Sequence, residues 1–283
     1  MNILITGASG KIGLNLAKYL IEKKYFCILN SRKKIKFNRI KIKYLRSSIS
    51  EKNFNIPKKT DILIHLACDT KNILKKNKSF KKNFINDKKI YNLVKKNKKI
   101  KKMIFFSTAL VYSNHNNKKV DENNKKFSTL SYVRYKLKSE KLFLKLKKIK
   151  VYVLRVPGVL IDKNKDLNFL STLIKKIRSN QNVILYNKEN FFNNLILIKE
   201  LNRLIVHLVK NKFSSGIILL GVKKPLQLKL ITKKIISFYK SKTKITWKIK
   251  NMGYYLNIKK LVNNYRFNTL STSSSLMKYL KKY

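Results

Sequence analysis

Residues 6–13 read Thr-Gly-Ala-Ser-Gly-Lys-Ile-Gly and follow directly on an apolar run, Ile3-Leu4-Ile5. That order is a strand, a glycine turn and the first turn of a helix. It constrains the fold more than any other feature, because the backbone at Gly7, Gly10 and Gly13 must come close to something. A nucleotide pyrophosphate is the usual neighbour, since the amides at a helix N-terminus attract anions. A strand, turn and helix of this kind open a βαβ unit, and the rest of the chain must supply the parallel strands that go with it.

The following residues do so. Ile12, Leu16 and Leu20, flanked by Ala17 and Ile21, have helical periodicity over 11–24. Strands are expected over 25–29, 38–45, 61–67, 102–107 and 151–155, with helices over 80–97 and 130–147. The run Asp61-Ile62-Leu63-Ile64-His65-Leu66-Ala67 is apolar on both faces, as a central strand of a parallel sheet must be. This alternation, sustained to residue 155, predicts an α/β fold with a doubly wound parallel Rossmann sheet. After Pro157-Gly158 the pattern loosens into helices over 168–179, 197–210 and 228–240 and strands over 183–186, 216–221 and 244–249. From 258 onward the chain reads as two short helices joined by 268–274. The expected organisation is a dinucleotide-binding domain over 1–157, to which 190–212 returns, and a smaller, interwoven C-terminal α/β lobe over 158–283 that binds substrate.

A second element carries chemistry. Tyr132 and Lys136 are four apart on an expected helix and share one face. A phenol near its ordinary pKa of about 10 is a poor base at neutral pH. An ammonium beside it, together with an oxidised nicotinamide ring, favours the phenolate, so the pair is expected to exchange a proton with a substrate hydroxyl. Lysine and tyrosine are abundant here, so the spacing alone is weak. Position adds to it: Ser107-Thr108 ends an expected strand, at the carboxyl edge where ligands of such sheets bind.

Composition bears on partners. The 283 residues include 68 Lys+Arg against 12 Asp+Glu, a formal net charge of +56. Two readings stay open. The abundance of Lys, Asn, Ile, Phe and Tyr, with 7 Gly and 3 Pro, fits a compositional drift that places lysine on every solvent face. The scarcity of acids leaves nonspecific binding of polyanions such as RNA. Cys27 and Cys68 have no paired spacing, and His65, His115 and His207 are scattered, so neither a disulfide framework nor a metal site is expected. The chain enters β structure at residue 3 with no signal peptide before it, and no apolar run approaches a membrane span, so a cytoplasmic location is expected.

Taken in order, these motifs resemble the extended short-chain dehydrogenase/reductase family, the NAD-dependent epimerases, dehydratases and reductases of nucleotide sugars. The resemblance covers nearly the whole chain. It rests on Gly7-Ala8-Ser9-Gly10-Lys11-Ile12-Gly13, Asp61 to Ala67, Asn83, Ser107-Thr108-Ala109-Leu110-Val111-Tyr112, Tyr132 with Lys136 and Glu140, Leu154-Arg155-Val156-Pro157-Gly158, Gly216 to Gly221, and Asn264-Tyr265-Arg266-Phe267. It implies Tyr132 as proton donor or acceptor, Lys136 as the group that lowers its pKa and binds the nicotinamide ribose, and Thr108 as the group that orients the substrate oxygen. Cofactor contacts are implied at Gly7, Ser9, Gly10, Lys11, Ile12, Gly13, Ser31, Arg32, Ser48, Leu66, Ala67, Asn83, Ser107, Tyr132, Lys136 and Pro157, and substrate contacts at Cys68, Thr108, Tyr132 and Asn193. It also implies a homodimer through the Tyr132 helix and its preceding neighbour. Like charges oppose that pairing, so those faces are expected to be largely apolar.

Departures from the pattern narrow the activity. The dehydratases follow the threonine with Asp-Glu, which supply acid and base for removing water. Here Thr108 is followed by Ala109-Leu110, which disfavours dehydration. The second lobe normally offers an arginine to the sugar-nucleotide diphosphate just before a His-Val-Asp-Asp-like stretch. In Asn193-Asn194-Leu195-Ile196-Leu197-Ile198-Lys199-Glu200 that arginine is missing and Leu197 replaces the histidine. No carboxylate ends the second strand. Asn30-Ser31-Arg32-Lys33-Lys34 offers Arg32 and Lys33 to a 2′-phosphate, which tilts the expectation from NAD toward NADP. The expected function is an oxidoreductase or epimerase acting on a carbinol or keto carbon of a sugar or nucleotide sugar. The alternative is a non-catalytic nucleotide- or RNA-binding member of the same fold.

Overall fold

The computed structural model describes residues 1–33, 35, 42–71, 73, 79–112, 118–124, 128–161, 168–250 and 253–281. His115, Lys34 and part of the expected third strand, 38–41, lie outside the described residues. In chain order the elements are β1 (Asn2–Thr6), α1 (Lys11–Glu22), β2 (Phe26–Asn30), β3 (Ile42–Leu45), β4 (Ile62–His65), α2 (Lys81–Lys96), β5 (Lys102–Thr108), β6 (Lys118–Val120), α3 (Ser131–Phe143), β7 (Lys150–Val156) and β8 (Gly158–Leu160). They continue with α4 (Phe169–Arg178), β9 (Val183–Tyr186), β10 (Phe191–Phe192), β11 (Leu195–Leu197), α5 (Ile198–Lys210), β12 (Gly216–Leu219), β13 (Leu226–Gln227), α6 (Leu228–Tyr239), β14 (Ile245–Lys248), β15 (Tyr254–Leu256), α7 (Lys259–Asn263) and α8 (Thr272–Leu280). No described helix is long and apolar enough to cross a membrane.

The chain forms two compact units. The first comprises Met1–Thr108, Ser128–Arg155 and Asn202–Ile218, and the second Ala109–Phe127, Val156–Leu201 and Leu219–Tyr283.

The first unit is built on a seven-stranded sheet of order β12-β7-β5-β4-β1-β2-β3. Pairing is parallel from β3 through β2, β1 and β4 to β5. The chain steps outward from β1 to β2 and β3, then returns to lay β4 on the other side of β1. That reversal opens a crevice beyond the carboxyl ends of β1 and β4, at Thr6-Gly7 and His65-Leu66. The β branching and apolarity of β1 and β4 fit their position, since Ile3 to Ile5 and Ile62 to Ile64 are buried on both faces. One face packs Leu4, Leu63, Met103, Phe105 and Val153 against Ile90 and Val94 of α2 and Phe143 of α3. The returning segment is pinned by Lys102, whose ammonium donates to the carbonyls of Leu208, Val209 and Asn211 at the end of α5 (3.1, 2.5 and 2.7 Å).

The exposed positions of α2 are Lys81, Lys82, Ile85, Lys88, Asn92, Lys95 and Lys96, and those of α3 are Arg134, Lys138 and Lys141. Ile85 is the apolar residue among them, and Phe84, Tyr135 and Leu137 are half-buried, so both helices present a mixture of apolar and basic positions.

The second unit has its own core, in which Leu170, Leu173, Ile174 and Ile177 of α4 meet Ile231 and Ile235 of α6 and Leu276, Tyr279 and Leu280 of α8. Its strands form short two-stranded pairs, β8–β11, β9–β14, β6–β15 and β10–β13.

Candidate active site

The glycine turn is as tight as its sequence requires. Gly7 sits at φ +70°, and a Cβ there would lie 2.8 Å from both Cα and N of Ala67. A Cβ on Gly13 would lie 2.4 Å from the Gly7 carbonyl oxygen and 2.9 Å from Ala8 Cα. The Gly10 amide donates to Gly7 O (3.0 Å), which closes the turn. Gly10 is the N-cap of α1; no side chain caps that helix, and its first turn holds no acid. A helix start with no competing carboxylate, approached through a glycine-bounded turn of small residues, fits a pyrophosphate. Ser9 and Lys11 are exposed beside it and Ile12 is half-buried.

At the carboxyl end of β2 the Asn30 side chain donates to Leu45 O (3.1 Å) and Ser47 O (3.0 Å), so both of its hydrogens tie β2 to β3. Ser31 is buried and its hydroxyl accepts the Lys33 amide (3.0 Å). Arg32 is exposed. The Ser48 amide donates to Glu51 Oε1 (2.8 Å), and its hydroxyl lies 2.8 Å from that of Ser50. Arg32 and Lys33, the two cations expected to face a 2′-phosphate, thus both face solvent.

Tyr132 and Lys136 lie buried on α3. The Tyr132 ring meets Phe80 edge-on (5.4 Å between centroids). The Lys136 ammonium donates to Phe106 O (2.8 Å) and sits 4.6 Å from the centroid of Phe105. Both side chains interact electrostatically with Cys68, just past β4, whose own S–H points to Asp69 O (3.5 Å). Thr108 is buried at the end of β5. The hydroxyl of its neighbour Ser107, expected to meet cofactor, donates to Glu140 Oε1 (2.5 Å). Glu140 also takes a two-pronged ion pair from Arg155, through Nε to Oε1 (3.1 Å) and Nη2 to Oε2 (2.8 Å). This buried pair fixes α3 to β7.

Burial and charge oppose each other at this pair. The Lys136 ammonium does pull the Tyr132 phenol down, but desolvation exceeds that pull and pushes it up to about 12. Burial likewise lifts the Cys68 thiol. Lys136 shows the opposite balance: burial alone would lower it, yet Cys68, Tyr132 and Asp87 together raise it, so it stays an ammonium. In the chain by itself the phenol is therefore protonated.

These features can be set beside known proteins. The model of the NAD dependent epimerase/dehydratase family matches residues 3–221. The chain belongs to that family. No curated protein matches the chain. Among solved structures, MoeE5 in complex with UDP-glucuronic acid and NAD is similar at TM-score 0.80 and 14% identity, over 100% of this chain and 98% of that one. The UDP-glucuronic acid 4-epimerase of Bacillus cereus, solved with NAD, is similar at TM-score 0.76 and 19% identity, over 100% and 99%. The UDP-N-acetylglucosamine 4-epimerase of the same organism gives 0.78 and 16%, over 99% and 98%. At these identities the likeness is one of fold: the extended short-chain dehydrogenase/reductase architecture.

Within this family member the other expected contacts sort as follows. Leu66 and Ala67 follow β4 directly onto the Gly7 turn. The Asn83 side chain is spent on the backbone of Asp69, accepting its amide (2.9 Å) and donating to its carbonyl (3.0 Å), so it shapes the loop after Cys68. Asn193, expected at substrate, is 1% exposed. It donates to Val222 O and Leu256 O (2.9 Å each) and accepts the Leu256 amide (2.7 Å). Both its hydrogens are used inside the second unit, so it acts as an internal clamp there. Pro157, between β7 and β8, belongs to that unit too. Sequence reasoning passed over a buried His65–Asp87 pair behind Lys136. The one signal was a histidine inside an otherwise apolar strand.

Proposed function

We propose that this chain is an NAD(P)-dependent epimerase or oxidoreductase acting on a carbinol or keto carbon of a sugar or nucleotide sugar. One observation carries the reading. The Gly7 turn rests on the Ala67 backbone, and the next residue, Cys68, is the shared partner of Tyr132 and Lys136. A pyrophosphate cradle and a phenol–ammonium pair thus meet at one strand end.

Gly7, Gly10, Gly13 and the start of α1 would hold the pyrophosphate, Arg32 a 2′-phosphate, Leu66 and Ala67 the length of the dinucleotide, and Lys136 the nicotinamide ribose. Bound there, the dinucleotide supplies reversible hydride acceptance. Tyr132, protonated as it stands, is ready to donate to a keto oxygen. For it to take a proton from a hydroxyl, added positive charge must offset its burial, and Lys136 already provides part of that. Thr108, ending β5, would orient the reacting oxygen. Without a carboxylate pair after Thr108, dehydration is not proposed. Pure binding would leave a buried phenol–ammonium pair without a use. A homodimer through α2 and α3 belongs to this reading only where salt screens the lysines on those faces.

The test is interconversion of a panel of UDP-sugars and free sugars by wild type and Tyr132→Phe, followed by sugar NMR, with dinucleotide binding measured alongside. Loss of turnover with binding retained supports the reading. Undiminished turnover in Tyr132→Phe overturns it.

A further inference from the structure

His65, Asp87 and Ser139 lie behind the Tyr132–Lys136 pair and have no part in the roles proposed above. His65 Nε2 is 2.8 Å from Asp87 Oδ1, with the two side chains 0% and 4% exposed. Asp87 Oδ2 is 2.5 Å from Ser139 Oγ. On its other side His65 Nδ1 is 2.6 Å from Thr6 Oγ1, which in turn is 3.3 Å from the Ala67 amide.

The protons along this row can be assigned. The Ala67 amide must donate to Thr6, and an ionised Asp87 can only accept. His65 therefore carries its hydrogen on Nε2, and Nδ1 accepts from the threonine hydroxyl. Ser139 donates to Asp87 rather than to Tyr135 O (3.0 Å), because the bond to the carboxylate is shorter and charge-assisted. Every polar atom is satisfied with the imidazole neutral. The row then holds one net charge, the carboxylate. A buried carboxylate is costly unless a cation balances it. The groups that act on Lys136 are Cys68, Tyr132 and Asp87. Of these only Asp87 is anionic at neutral pH, since burial keeps the thiol and the phenol protonated. Ser139 is three residues beyond Lys136, on the same face of α3.

We infer that Asp87 is a positioning residue for the Tyr132–Lys136 pair: it clamps α3 through Ser139 and β4 through His65, and it supplies the fixed negative charge that balances the Lys136 ammonium. This deepens the reaction proposed above and rests on it. The row also begins at Thr6, immediately before the Gly7 turn, so one set of bonds holds both the cradle and the proton-transfer helix.

Two variants separate clamp from charge. Asp87→Asn keeps the shape. Its amide oxygen still accepts from His65, its NH2 donates to Ser139, and the serine hydrogen turns to Tyr135 O. Only the charge is lost. Asp87 holds both Tyr132 and Lys136 up, so both should titrate at lower pH in Asp87→Asn. The acidic limb of the kcat/KM profile for alcohol oxidation should move down. Ser139→Ala keeps the charge and loosens the helix. Its kcat should fall about 10- to 100-fold, the scale of a misplacement near 1 Å, with KM and the pH limb in place. Unmoved kcat in Ser139→Ala, or an unmoved limb in Asp87→Asn, overturns the inference even if both variants melt earlier. A readout that needs no substrate keeps it separate from the proposed reaction. Phenolate absorbance of wild type minus Tyr132→Phe isolates the Tyr132 titration, and the same difference on an Asp87→Asn background should appear at lower pH. An identical titration on both backgrounds overturns the inference whatever the enzyme turns over.

Discussion

Gly13→Ala probes the dinucleotide cradle most sharply. The new Cβ would stand 2.4 Å from Gly7 O and 2.9 Å from Ala8 Cα, both backbone atoms that cannot swing aside. To regain ordinary contact, the turn must retreat by about 1 Å from α1. Overpacking of this kind costs about 1–3 kcal/mol, and replacing glycine inside a helix returns up to about 1 kcal/mol. The net effect on folding is small, and the thermal midpoint should fall by only a few degrees. Binding should suffer more. Each hydrogen bond to a charged phosphate is worth about 1.5–3 kcal/mol, and about 1.4 kcal/mol is tenfold in affinity. Loss of one such bond weakens the dinucleotide about 10- to 100-fold. Gly10→Ala separates folding from binding, because its Cβ meets only Gly7 O, at 3.3 Å: stability should be nearly unchanged while dinucleotide affinity falls. Titration calorimetry with NAD and NADP measures both. A folded Gly13→Ala protein with wild-type affinity would refute the cradle.

Further consequences concern stability and cofactor choice. Glu140→Ala removes the carboxylate that pairs with the buried Arg155 guanidinium, and urea unfolding should show a loss of about 3–5 kcal/mol. Burial raises Tyr132 and Cys27 to about 12, from 10.0 and 9.0, and also raises Tyr152 and Tyr254. These groups stay protonated in the fold after the unfolded chain has released its protons. Their contribution is therefore complete below about pH 9 and is lost as pH climbs toward about 12, which thermal midpoints across that window should register. Arg32→Ala should weaken NADP and leave NAD unchanged, and equal effects on the two would remove the 2′-phosphate assignment.

The first unit was largely legible in the sequence because its signals are local and long. The glycine turn, the doubly apolar run at 62–65 and the Tyr132–Lys136 spacing each lie within a single element, and the sheet order places them together. The second unit was harder to read. Strands such as β6, β8 and β15 are three residues long and pair with partners distant in the chain, so no periodicity announces them. The three backbone partners of Asn193 lie far along the chain and are invisible in the sequence. Asp87 is hidden differently: it is followed by Lys88 and Lys89 on a helix that reads as solvated, and only the fold turns it inward. At the Tyr132 phenol the neighbouring ammonium is visible in sequence, whereas the opposing desolvation becomes visible only in the fold.

The central claim is that Tyr132 moves a proton beside a bound dinucleotide. Sugar interconversion by Tyr132→Phe, with dinucleotide affinity measured on the same preparation, tests it most directly. The account predicts a rate lower by about 100-fold or more with the dinucleotide still bound, and a variant that turns over at the wild-type rate would contradict it.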